Sequence, residues 1–180
     1  IVMTAHRPSN VENQENLKEI CLALIELSEF SIVFSVHPRT KKSLEESKLI
    51  KELEKFPNML DIFGRGYNEI ESKLTGLADY MFHIVIENSK KDYWFTEKLI
   101  DCFVTGTVPL YWGCPSIGEF FDKKGIITFH TKKQLYEIVN NLSQNLYEDI
   151  LPFIKRNFEE AKKYILAEDW LYLNKKYIFE

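Results

Sequence analysis

The sequence predicts an α/β domain in three layers, with a parallel sheet of about six strands packed between helices. Two observations predict it. Short apolar runs alternate along the chain with amphipathic segments, joined by short connections, and this alternation is the mark of βαβ units. Polar and charged residues also gather directly after one strand, at 87–98. In a parallel sheet that end of a strand is where ligands bind. The class is therefore Rossmann-like.

Taken in order, the strands run over 1–4, 31–36, 59–63, 80–86, 108–111 and 126–129. Helical patterns lie between them at 15–27, 42–55, 67–77, 96–105, 116–121 and 132–142. In the first helix Leu17, Ile20, Cys21, Leu24 and Leu27 recur as one buried stripe. Gly106 closes the helix over 96–105. A last long helix, about 146–166, carries Ile150, Phe153, Ile154, Phe158, Ala161 and Ile165 on one side and is expected to lie across the domain. No internal repeat, low-complexity tract or linker interrupts the pattern, so residues 1–180 read as a single domain.

With 180 residues, 45% of them hydrophobic, the chain can bury a core alone or as half of a larger enzyme. A net charge of −4 argues against a nucleic-acid partner, and Lys90-Lys91 and Lys132-Lys133 read as solvated faces. No apolar stretch approaches the ~20 residues of a membrane span. Ile1 to Ala5 reads as a strand and not as a signal peptide, so a cytoplasmic location is expected. The absence of an initiator Met suggests a piece of a longer protein. Cys21, Cys102 and Cys114 are odd in number and widely spaced, which favours buried thiols over disulfides or a metal site.

The segment 82–115 carries the chemistry. Ile84-Val85-Ile86 ends on Glu87-Asn88-Ser89, and a polar loop leads to Thr96-Glu97-Lys98 at a helix start. Free N–H groups and partial positive charge at such a start suit a phosphate or diphosphate. Lys98 adds a full positive charge, and Thr96 is the expected N-cap. Glu97 suits sugar or ribose hydroxyls, or developing positive charge at an anomeric carbon. Asn88 both donates and accepts, and Tyr93 and Trp94 offer faces for a base or sugar ring. Each residue also admits a plain structural role: Glu97 and Lys98 as surface charges, Trp94 and Phe95 as core anchors, Asn88-Ser89 as a strand terminator.

These residues resemble the C-terminal domain of glycosyltransferase family 10, the fucosyltransferases. The matching blocks are I-E-N-S at 86–89, W-F-T-E-K at 94–98 and G-T-V-P-L-Y-W-G-C-P at 106–115. Supporting matches are Gly64-Arg65-Gly66, Phe120-Phe121-Asp122, Gly125-Ile126-Ile127 and Asn157-Phe158, so the resemblance covers about 60–170. It implies one half of a GT-B architecture, with Asn88, Glu97 and Lys98 contacting GDP-fucose or a related donor. The family's tyrosine four residues before the lysine is Trp94 here, so a tyrosine hydroxyl contact is either lost or shifted to Tyr93.

Residues 1–55 resemble something else. T-A-H-R-P-S-N-V-E-N at 4–13 and V-F-S-V-H-P-R-T at 33–40 are similar to the C-terminal domain of non-hydrolysing UDP-GlcNAc 2-epimerases, also GT-B-like. That resemblance puts His6 and Arg7 at strand ends beside a diphosphate; His6 reads alternatively as a loop residue capping the next helix. The chain thus reads as a mosaic. The candidate binding set is Arg7, Glu87, Asn88, Tyr93, Trp94, Thr96, Glu97 and Lys98. The expected ligand is a nucleotide-diphosphate sugar, without cofactor; the lack of any Asp-x-Asp argues for cationic side chains in place of a metal. The general base is expected from a separate N-terminal acceptor domain. An epimerase-type domain and a catalytically empty mosaic, natural or engineered, are the alternatives.

Overall fold

The computed structural model describes residues 1–4, 11–27, 32–35, 38–53, 55, 60–63 and 75–164. Arg7, His6, His37, Gly64-Arg65-Gly66, Ile165 and most of the helical pattern 67–77 lie outside the described residues. The strands are β1 (Val2–Thr4), β2 (Ile32–Ser35), β3 (Leu60–Phe63), β4 (Phe82–Ile86), β5 (Val108–Trp112) and β6 (Ile127–Thr128). They form one sheet in the order β3-β2-β1-β4-β5-β6, and every neighbouring pair is parallel. The chain winds outward from β1 to β3, then crosses back to begin β4 on the other side of β1. The order therefore reverses between β1 and β4, and sheets of this kind open a crevice at the C-terminal ends of those two strands.

The register explains how a proline sits inside the sheet. Val108 donates its N–H to Met81 of the β4 side at 2.8 Å, whereas Tyr111 accepts from Phe129 of the β6 side at 3.0 Å. Pro109, opposite in parity to Val108, thus has its missing N–H on the β6 side, where pairing begins only at Leu110 with Ile127. No ladder bond is lost.

Among the described helices are α1 (Gln14–Glu26), α2 (Pro38–Glu46), α3 (Ile50–Leu53), α4 (Thr75–Ala78), α5 (Glu97–Thr105), α6 (Lys132–Val139) and α7 (Gln144–Ala161). Asn13 starts α1 by accepting from Glu15 N–H at 2.9 Å and Asn16 N–H at 3.1 Å. Leu17, Cys21 and Leu24 form its buried stripe. The single helix expected over 42–55 is two. Proline fits a first turn because its φ is already helical and it has no N–H to lose, so α2 begins at Pro38. It ends where the Ser47 hydroxyl donates to Ser43 O at 2.6 Å and Lys48 takes a φ of 61°.

The helix expected over 116–121 is replaced by two 3-10 turns, Ile117–Glu119 and Lys123–Gly125. The cause lies across the domain in α7. Asn157 Oδ1 accepts Asp122 N–H at 2.7 Å and its Nδ2 donates to Asp122 O at 3.0 Å. This two-point clasp pins the peptide before a regular helix can develop. On α7 the buried stripe is Ile150, Ile154, Asn157 and Ala161. Phe153, expected within that stripe, instead lies under the Arg156 guanidinium, 4.5 Å from the ring centre.

Phe82, His83, Ile84 and Val85 are all buried, so both faces of β4 are covered. One continuous core joins α1, the strands, α5 and α7. The three cysteines are buried and free. Asn157→Ala is expected to destabilise the domain by about 2 kcal/mol, because two peptide groups lose their partner. Urea denaturation of both proteins checks it; an unchanged midpoint removes the clasp from the account of the 116–125 turns.

Candidate functional site

The strand end at β4 is tied to the helix start at α5 by one carboxylate. Glu87 extends the ladder beyond β4 by donating its N–H to Trp112 O at 2.8 Å, and its side chain turns inward to 1% exposure. Oε1 accepts the Thr96 N–H and Oε2 accepts the Thr96 hydroxyl, both at 2.8 Å. Thr96 also caps α5 by accepting the Lys98 N–H at 3.4 Å. The Lys98 ammonium lies 3.3 Å from Thr96 Oγ1 and 3.9 Å from Glu87 Oε2. A buried charge is tolerated only when hydrogen-bonded and paired, and both conditions hold here.

β5 forms the wall behind this clamp. Burial raises the Tyr111 phenol above its ordinary pKa, and its hydroxyl donates to Glu87 while accepting the Cys114 N–H at 3.1 Å. Gly113 has to be glycine: a Cβ there would lie 2.5 Å from Glu87 Cγ and 2.6 Å from the Tyr111 hydroxyl. Gly106 ends α5 with a φ of 75°, its N–H directed at Cys102 O and Phe103 O. Beyond β5 and β6 a cleft of about 380 Å³ opens between Lys90, Tyr111, Gly113, Cys114, Lys123 and His130.

Glu87, Thr96 and Lys98 are thus brought together, but Glu87 faces inward as the anchor of the clamp, its oxygens taken by Thr96 and Tyr111. Asn88 follows it, with both amide atoms shielded from solvent and lacking any hydrogen-bond partner among the described residues. Leaving such atoms unmatched costs about 1–3 kcal/mol per group. Glu97 is exposed on the first turn of α5. Tyr93 and Trp94 are 66% and 46% exposed. Phe95 is the anchor of the loop instead, its ring centre 5.1 Å from Phe120, 5.3 Å from Phe121 and 5.4 Å from Tyr164.

Sequence reasoning missed Tyr111, Ser116 and His83. Tyr111 and His83 sit inside apolar runs, where an alternating polar atom was the only signal. His83 Nδ1 lies 3.2 Å from Cys102 Sγ, while its Nε2 has no partner among the described residues. Burial pushes the imidazole down to about 3, and the nearby Lys98 ammonium acts in the same direction. No group of three or more His, Cys, Asp or Glu among the described residues could hold a metal ion. No described helix is long and apolar enough to cross a membrane.

A model of glycosyltransferase family 10 (fucosyltransferase), C-terminal region, matches residues 28–165. The chain belongs to that family. The family 10 match begins well before residue 60 and so overlaps the epimerase-like block at 33–40. The domain is 29% identical over 135 residues to alpha-(1,3)-fucosyltransferase FucT of Helicobacter pylori, covering 63% of this chain and 28% of that protein. It is 41% identical over 71 residues to UDP-N-acetylglucosamine 2-epimerase of Methanocaldococcus jannaschii, covering 38% of this chain and 19% of that one. The chain therefore spans less than a third of these curated relatives. An alpha1,3-fucosyltransferase solved with GDP-fucose superposes with a TM-score of 0.56 at 20% identity, over 90% of this chain and 46% of that one. The solved M. jannaschii epimerase gives 0.57 at 22% identity, over 80% and 39%. Both likenesses are of fold: the domain has the GT-B-like α/β fold, with sequence resemblance to both groups.

The His83 environment makes stability depend on pH. Between about 3 and the ordinary 6.5 the unfolded chain binds a proton that the folded one excludes. Stability is therefore full above the upper value and falls with acidification at about 1.4 kcal/mol per pH unit. Comparing urea midpoints at pH 7 and pH 5, His83→Leu is expected to lose about 2 kcal/mol less than the parent across that interval. Equal losses would refute the assignment.

Proposed function

We propose that this family 10 domain holds the donor, a GDP-fucose-like nucleotide-diphosphate sugar, for an inverting glycosyl transfer that uses no metal. The observation that carries the proposal is the Lys98 ammonium fixed at the capped start of α5, together with the Asn88 amide, buried without a hydrogen-bond partner among the described residues. Both stand at the C-terminal end of β4, one of the two strands that bound the crevice.

Departure of the diphosphate places negative charge on phosphate oxygens and positive charge on the anomeric carbon. Lys98, the α5 terminus and Arg7 answer the first, and exposed Glu97 the second. Arg7 enters by its sequence position, three residues after β1 ends at Thr4. Cationic side chains then do what a metal does elsewhere. The domain serves as half of a GT-B enzyme, and the base that activates the acceptor comes from an N-terminal acceptor domain. Alone, it binds nucleotide sugar weakly and transfers nothing.

The 41% identity to the M. jannaschii epimerase favours a second reading, a UDP-sugar site of epimerase type. Calorimetry with GDP and UDP separates the two: tighter GDP binding supports the donor reading, and tighter UDP binding supports the other. Lys98→Ala is expected to weaken GDP binding by about 1–3 kcal/mol, the range of a charge-assisted contact; unchanged affinity would take Lys98 out of the site. Asn88→Ala should cut affinity while leaving the melting temperature equal or higher, because an unmatched buried amide is removed from the free protein. A fall in melting temperature would mean that Asn88 serves the fold.

A further inference from the structure

Tyr93 has a φ of 59°, in the left-handed region where a Cβ crowds the neighbouring carbonyl and where glycine or asparagine is at home. The conformation is imposed from both sides. Tyr93 N–H donates to Ser116 Oγ at 2.8 Å, and two residues on, Phe95 is locked among Phe120, Phe121 and Tyr164. Glycine would meet the same demand without strain. Nor does packing explain the ring, which is 66% exposed and meets Phe120 in a T-shaped pair with ring centres 6.1 Å apart. What tyrosine adds at this position is an aromatic face turned to solvent. Strained backbone of this sort concentrates at functional sites.

The surroundings define what that face suits. Glu119 lies beside the Tyr93 hydroxyl and raises its pKa above the ordinary value. A ring face with a carboxylate at its edge matches a pyranose, whose C–H face stacks while its hydroxyls donate. The same carboxylate repels phosphate. Tyr93 precedes the α5 N-cap Thr96 by three residues, so the chain keeps it within ~11 Å of the helix start. A sugar whose phosphate is held there lies within that range.

We propose that Tyr93, oriented by Ser116 and flanked by Glu119, recognises the sugar ring of the nucleotide sugar and not its nucleotide. This rests on the donor reading above and goes beyond it by assigning a residue to the sugar. The test is titration calorimetry of the chain with GDP and with GDP-fucose, alongside thermal melting. In the parent chain GDP-fucose is expected to bind more tightly than GDP. Tyr93→Gly should remove that difference, lowering GDP-fucose affinity about five- to tenfold with GDP unchanged, while the melting temperature rises as strain is relieved. Tyr93→Asn should do the same, since asparagine tolerates the backbone but lacks the ring. Tyr93→Phe keeps the ring and most of the difference. An unchanged ratio of the two affinities in Tyr93→Gly overturns the proposal, as does an equal loss for GDP, which would place the ring on the nucleotide. If the parent chain binds neither ligand, the donor reading itself falls, and this inference with it.

Discussion

The Glu87 carboxylate holds the organisation of the site. One acidic group, withdrawn from water, takes the Thr96 peptide N–H and hydroxyl and lies within 3.9 Å of the Lys98 ammonium. It joins the end of a sheet strand to the start of a helix nine positions later, and the loop between is closed by that junction. Without it, the Thr96 N–H and hydroxyl would lose their acceptor and the buried Lys98 ammonium its neighbouring carboxylate. Gly113 and Tyr111 are shaped around the same carboxylate from the neighbouring strand. Charge, cap and backbone shape are therefore solved together, and none can be altered alone.

Much of this was legible in the chain because the relevant signals are local. The alternation of runs gave the α/β class; the T-E-K block gave the helix start, with Thr96 as cap and Gly106 as stop. What was not legible depends on distant partners. Nothing near 116–121 indicates 3-10 turns, since the cause is an asparagine 35 residues later in α7. Glu87 reads on paper as a polar residue ending a strand, and only the sheet reveals that Tyr111 and Thr96 consume its lone pairs. Phe95 and Trp94 are adjacent aromatics with different fates, one packed against the core and one about half exposed, a difference set by the position of Phe120 and Phe121.

The two sequence resemblances become compatible at the level of architecture. A parallel sheet that reverses its order between β1 and β4 offers one crevice, whichever family the flanking loops come from. β1 belongs to the front of the chain, and β4 opens the 82–98 segment. Recombination between two groups sharing the same fold needs only a compatible junction, because helices and strands pack on equivalent surfaces either side of it.

The border of the sheet at β6 has its own consequence. Only two residue pairs connect it to β5, and a proline precedes them with no amide to offer on that flank. A margin strand this short is a poor template for the strands of other molecules. Partners that approach from this direction find little backbone to pair with, which leaves shape and side-chain chemistry to carry the recognition.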